Sequence, residues 1–167
     1  MIKRKVKERL LKEFYELKVE DIAEKRMWEI PLIADDEPIS HVLSILDGKS
    51  HVWVVNNLDE KKLKGVITRH DVLQILAPPR VNYRLFGHPE RFHHGTEGKA
   101  EDVMTKNAVT CSRGEKIEEV LQRMNRHGIR RVAIVEDGII EGELTLARLI
   151  HKYYKALQYH PIAEDEE

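Results

Sequence analysis

Ile39-Ser40-His41-Val42-Leu43-Ser44-Ile45-Leu46 and Ile117-Glu118-Glu119-Val120-Leu121-Gln122-Arg123-Met124 carry the same apolar pattern 78 residues apart. In each stretch four apolar side chains fall at i, i+3, i+4 and i+7, which places them on one face of a helix. The correspondence extends in both directions. Glu20-Asp21-Ile22 returns as Glu101-Asp102-Val103, Val52-Trp53-Val54-Val55 as Val132-Ala133-Ile134-Val135, and Gly65-Val66-Ile67-Thr68 as Gly142-Glu143-Leu144-Thr145. The offset drifts from 81 to 78 to 80 to 77, as small loop insertions and deletions would make it drift. Two tandem copies of about 60 residues account for this.

Within a copy the order reads strand, helix, strand, turn, strand, helix. The runs 52–55 and 132–135 have the length and apolarity of buried strands. Pro38 sits where a first-turn proline is tolerated, and Gly48 and Gly128 sit just past the repeated helices, where a left-handed terminating residue is wanted. Asn56 to Lys62 and Asp137-Gly138 are the turns, the second a strong hairpin signal. Closing helices are expected from about His70 to Leu76 and from about Leu146 to Leu157. The chain therefore divides into an N-terminal amphipathic helix (1–18), a first repeat (19–79), a connector loop (80–98), a second repeat (99–159) and an acidic tail (160–167). A 60-residue copy alone would be marginal, so the copies are expected to pack on one another as one two-lobed α/β module.

Composition narrows the function. Charged residues make up 34% of the chain, above the roughly 25% of an average soluble protein. Such an ionic surface suits a high-temperature source, an expectation only. Lys and Arg number 28 against 29 Asp and Glu, so no global basic field recruits nucleic acid or an anionic membrane. One cysteine, Cys111, excludes an internal disulfide and a multi-cysteine zinc site, and it is expected to be buried and inert. No signal-like segment or run of 18 apolar residues occurs, which points to a cytoplasmic protein with no membrane partner.

The first copy ends its last strand in Gly65-Val66-Ile67-Thr68-Arg69-His70-Asp71, a Gly-x-x-Thr-x-x-Asp pattern. A tandem of β-α-β-β-α units so marked resembles the cystathionine-β-synthase (CBS) domain pair. Asp102-Val103-Met104-Thr105 opening the second copy and the pair Arg130-Arg131 before its central strand are similar as well. The likeness covers roughly Val19 to Ala77 and Lys99 to Tyr154. It implies binding of an adenosine-containing ligand, AMP, ADP, ATP, NAD or S-adenosylmethionine, in clefts between the copies. It further implies a regulatory or sensing role with no reaction catalysed, no required cofactor, and a homodimer. Carried over by position, the first cleft would use Ser50, His51, Thr68 and Asp71 with Thr105, Val109, Ile129 and Arg130.

The chemistry suits that spacing. A hydroxyl and a carboxylate three residues apart share one side of a first helical turn, where free N–H groups favour phosphate oxygens. Asp71 could accept two hydrogen bonds from a ribose diol while Thr68 meets phosphate. The plainer alternative is that Asp71 merely caps the closing helix. In the second copy Thr145-Leu146-Ala147-Arg148 puts a guanidinium where the carboxylate should be, and a guanidinium cannot accept a diol. That cleft is either empty or uses Arg131, Thr145 and Arg148 for a more negative ligand.

Other features have plain readings beside sharper ones. His70, His88, His93 and His94 invite a metal, yet their spacing matches no closed zinc set, and no metal is expected. Arg80, Tyr83, Arg84, Phe86, Arg91 and Phe92 could stack on nucleobases, but docking on the core or on a second chain is expected. The N-terminal helix, with Val6, Leu10, Phe14 and Leu17 on one face, demands burial. Trp28 and Trp53 read as core or dimer surface. No nucleophile–base pair and no Gly-rich phosphate loop stand out. Rival readings are a ligand-free dimerisation scaffold and a nucleic-acid accessory protein using the basic helix and connector. In the favoured reading the output passes to an unknown effector protein.

Overall fold

The structure, a computed structural model, describes residues 2–23, 29–77 and 98–159. The connector histidines His88, His93 and His94, its aromatics, Trp28 and the acidic tail lie outside the described residues. The chain forms two compact units, one of residues 28–108 and one of residues 1–27 with 109–167.

The continuous unit holds β1 (Leu32–Ala34), α3 (Ile39–Gly48), β2 (His51–Val55), β3 (Leu63–Thr68), α4 (Arg69–Leu76), α5 (Ala100–Val103) and β4 (Thr105–Lys106). Its sheet has the order β1-β2-β3-β4, with β1 parallel to β2 and the other neighbours antiparallel. Parallel pairing of β1 and β2 requires a crossover, which α3 supplies. The repeated face of α3 puts Val42 and Leu46 against Val52, Val54 and Ile67, with Ile33, Val72 and Ala100 completing the cluster. All five residues of β2 are buried, including Trp53 and, edge-on to it at 5.5 Å, His51.

The discontinuous unit holds α1 (Ile2–Glu16) and α2 (Val19–Ile22) from the start of the chain. To these it adds β5 (Thr110–Cys111), α6 (Ile117–His127), β6 (Arg131–Glu136), β7 (Ile139–Thr145) and α7 (Leu146–Tyr159). Its sheet is β5-β6-β7, again parallel then antiparallel. Ile117, Val120 and Met124 of α6 meet Val132, Ile134, Leu144 and Leu149, and Phe14, Val19 and Ile22 enter the same cluster. The apolar face expected of the N-terminal helix is thus spent on this core: Phe14 is buried and stacks tilted on Tyr153 of α7, with ring centroids 5.2 Å apart. Both units contain a β-α-β-β-α core, β1-α3-β2-β3-α4 in one and β5-α6-β6-β7-α7 in the other, the mixed α/β architecture expected from the repeat.

Each copy's leading segment sits on the other copy's strands and helices. Lys18 bridges to Lys116, and the N–H groups of Val19 and Glu20 donate to the carbonyls of Glu115 and Arg113. In the continuous unit Pro38 bridges to Lys99 in the same way, and Ala100 and Glu101 donate to Glu37 and Asp35. The two helix ends that the sequence treats alike differ. Gly128 adopts the left-handed conformation at φ 63° and its N–H closes α6 on Asn125 and Met124. Gly48 instead stays within α3, and the extended Lys49 follows it. The Asp137-Gly138 turn has φ of 50° and 81°, the pair of positive values that a tight hairpin between β6 and β7 needs.

Candidate functional site

Thr68 ends β3 and caps α4. Its hydroxyl donates to Asp71 Oδ2 at 2.8 Å, and its N–H donates to the same oxygen at 2.7 Å. In return the Asp71 N–H reaches Thr68 Oγ1 at 3.4 Å, so two helix-end donors and a hydroxyl are satisfied reciprocally. The capping alternative is therefore realised. It does not exhaust the carboxylate: Oδ1 receives only a long 3.4 Å bond from the Thr105 hydroxyl among the described residues.

Thr105 is brought there by β4, which pairs Thr105 with Val66 and Lys106 with Gly65. Gly65 makes this approach possible, since a Cβ there would lie 2.6 Å from the Thr105 carbonyl oxygen and 2.9 Å from Met104 Sδ. His51 pairs in register with Thr68, and the Ser50 carbonyl accepts from the Arg69 N–H at 3.4 Å. Five of the residues singled out in the sequence, Ser50, His51, Thr68, Asp71 and Thr105, thus gather around one strand-to-helix junction.

Val109, Ile129, Arg130, Arg131, Thr145 and Arg148 belong to the discontinuous unit. There the same junction recurs: Arg131 pairs with Thr145, Leu146 N–H donates to the Arg130 carbonyl at 2.8 Å, and Arg148 N–H donates to Thr145 Oγ1 at 3.2 Å. Ser50, His51, Thr68 and Asp71 correspond in place to Arg130, Arg131, Thr145 and Arg148. The threonine cap is retained, and the carboxylate that answers it is not. Arg131 also lies 3.9 Å from Glu143 across the strands.

Arg69 was not singled out in the sequence. Its Nε donates to the Leu46 carbonyl at 3.1 Å and its Nη2 to the Asp47 carbonyl at 3.3 Å, both at the C-terminal end of α3. A lone basic residue whose partners lie 22 and 23 positions away leaves no periodic mark. His70, beside it on α4, is exposed.

Cys111 is buried in β5. Burial, with the Glu115 carboxylate adding to it against Arg123, pushes the thiol up from its ordinary 9.0 to about 12. Arg123 is itself held by the Thr110 carbonyl at 2.6 Å and by Glu115 at 2.7 Å. A protonated, buried thiol is a poor nucleophile and metal ligand.

A family model described as the CBS domain matches residues 19–78 and 100–155, well over half of the chain. The chain belongs to the CBS-domain family. Its two matched stretches are the two repeats, and the fold is that of a tandem CBS pair. An inosine-5′-monophosphate dehydrogenase of Staphylococcus epidermidis is 29% identical over 118 residues, which is 70% of this chain and 20% of the dehydrogenase. The chain thus spans about a fifth of that relative's length. Among solved structures, a CBS domain pair in complex with 5′-methylthioadenosine and S-adenosyl-L-methionine is similar at a TM-score of 0.62 and 22% identity. It covers 83% of this chain and 97% of its own. The CBS domain of a bacterial CNNM/CorC family Mg2+ transporter, in complex with ATP, reaches a TM-score of 0.67 at 17% identity, covering 91% of this chain and 97% of its own. At these identities the likeness speaks for the fold.

Proposed function

We propose that this CBS pair is a non-catalytic regulatory module that binds an adenosine-containing ligand at the Thr68–Asp71 junction. The observation that carries the reading is the Asp71 carboxylate: one oxygen is fixed by the helix cap while the other meets only the distant Thr105 hydroxyl among the described residues. A carboxylate oxygen has two lone pairs, so Oδ1 can take a ribose hydroxyl without breaking the cap. Thr68 has one hydroxyl proton, already given to Asp71. Ribose recognition by Asp71 therefore comes ahead of phosphate recognition by Thr68. Ser50, His51 and Thr105 border the same junction. Similar CBS structures solved with ATP and with S-adenosyl-L-methionine support an adenosine-bearing ligand. The matching position in the discontinuous unit, with Arg148 in place of the carboxylate, is not a diol site.

Binding would favour one packing of the chain over another and so report ligand level to an effector protein, through a homodimer. The relatives' dehydrogenase activity is not carried over. Thermal unfolding with AMP, ADP, ATP, NAD and S-adenosylmethionine tests the proposal. A ligand at 100 times its Kd adds about 2.7 kcal/mol, or roughly 5–10 °C in Tm for a chain of this size. A rise for one ligand that is lost in Asp71→Ala is expected. No rise with any of the five, in protein free of bound nucleotide, would instead favour the scaffold reading. Steeply salt-dependent RNA or DNA binding would favour the nucleic-acid one.

A further inference from the structure

The two repeated helices end by different means. At the end of α6 the carbonyls of Met124 and Asn125 are met by the main chain itself, through Gly128 in its left-handed conformation and Ile129. At the end of α3 there is no such residue. The Lys49 N–H takes Ile45, and the carbonyls of Leu46 and Asp47 go to the side chain of Arg69. Arg69 is the first residue of α4, between Thr68 and Asp71, and its own N–H reaches the Ser50 carbonyl. In the discontinuous unit the corresponding residue is Leu146. It keeps the main-chain bond, to Arg130, and has no donor to send to α6.

We propose that Arg69 is the positioning residue of the adenosine site. Its guanidinium fork fastens the first turn of α4 to the carbonyl end of α3, where the helix dipole favours a cation. The side chain and the main chain of one residue thereby hold three consecutive parts of the site's frame: the end of α3, the Ser50 segment and the Thr68–Asp71 cap. Two of its five N–H donors go to those carbonyls, and in this proposal the guanidinium acts on the ligand through that frame. The inference rests on the adenosine reading above.

The test compares wild type, Arg69→Leu and Arg69→Lys by calorimetric titration with adenosine, AMP and ATP, well below each protein's Tm. Amide exchange of Asp71 and Val72 in the ligand-free proteins is measured in parallel. Loss of charge-assisted bonds to two carbonyls is expected to weaken binding in Arg69→Leu by about five- to tenfold, equally for all three probes. Arg69→Lys, able to reach one carbonyl, should recover part of it. A loss confined to AMP and ATP would make Arg69 a direct phosphate contact and overturn the positioning role. An unchanged Kd with a lowered Tm would make it a structural clamp alone and overturn it equally. If wild type binds none of the probes, the adenosine reading itself fails. The exchange data then decide the framing role: faster exchange at Asp71 in Arg69→Leu upholds it, and unchanged exchange ends it.

Discussion

Asp71 is engaged on one carboxylate oxygen by Thr68 and only at long range on the other, so two substitutions separate its local and its proposed ligand-binding roles. Asp71→Ala removes the reciprocal cap and should lower ligand-free stability by about 1 kcal/mol, read by chemical unfolding. Asp71→Asn keeps an acceptor for the cap and should lose only a few tenths of that. It gives up the ionic bond to a diol, which is about twice as strong as a neutral one, so ligand affinity should fall in both variants. Cys111 carries a pH prediction. Its thiol is neutral in the folded chain up to about 12 and would ionise near 9.0 once unfolded. Between those values the unfolded state holds fewer protons, so stability is intact below pH 9 and declines as pH rises toward 12. Denaturant midpoints in wild type and Cys111→Ala across that range would show the excess alkaline loss in wild type alone. The Thr68 and Asp71 pair was legible because its spacing is local. Thr105 was legible only through the family likeness, since its bond to Asp71 spans 34 residues.

Helix ends and strand contacts expose what a pattern of residue types leaves open. Gly48 and Gly128 occupy equivalent places in the repeat, and the sequence assigns both to left-handed termini. Only Gly128 is left-handed, because Arg69 takes over the carbonyl-capping that Gly48 would otherwise help to provide. Substitution by alanine should therefore have opposite signs. Gly48 has open space around its Cβ position and no positive φ, so Gly48→Ala should stabilise by about 0.5–1 kcal/mol. Gly128→Ala, forced to φ +63°, should destabilise by about 1 kcal/mol or more. Equal Tm shifts of the same sign would refute this account of the two ends. Gly65→Ala belongs to the same scale. A Cβ 2.6 Å from a main-chain oxygen must displace β4 and carry Thr105 away from Asp71, at about 1–3 kcal/mol. The strand and helix periods themselves were plain in the sequence, since α3, α6 and the buried β2 and β6 repeat with full apolar faces.

At the scale of the molecule the repeats were visible and their assembly was not. Four-residue helices such as α2 and α5 have no periodicity to read, and nothing local announces that α2 will bond to Arg113 and Glu115. The N-terminal helix asked for a partner, which proves to be the core built by the second repeat, through Phe14. Among the described residues no helix is long and apolar enough to cross a membrane. A fragment of residues 109–159 lacks Phe14, Val19 and Ile22 from its core and should melt without cooperativity. Adding a peptide of residues 1–27 should restore a cooperative transition, and failure to do so would mean that these contacts are dispensable.

Because one unit is a single unbroken stretch and the other is assembled from both ends of the chain, the ribosome delivers them unequally. Residues 28–108 are complete while the first 27 still lack the strands and helices they pack on. At about 5–20 residues per second the remaining stretch takes roughly 3–12 s more. Throughout that delay Leu10 and Phe14, buried in the finished protein, have no core to enter. The apolar face of the nascent N-terminal helix stays uncovered until the second repeat is made.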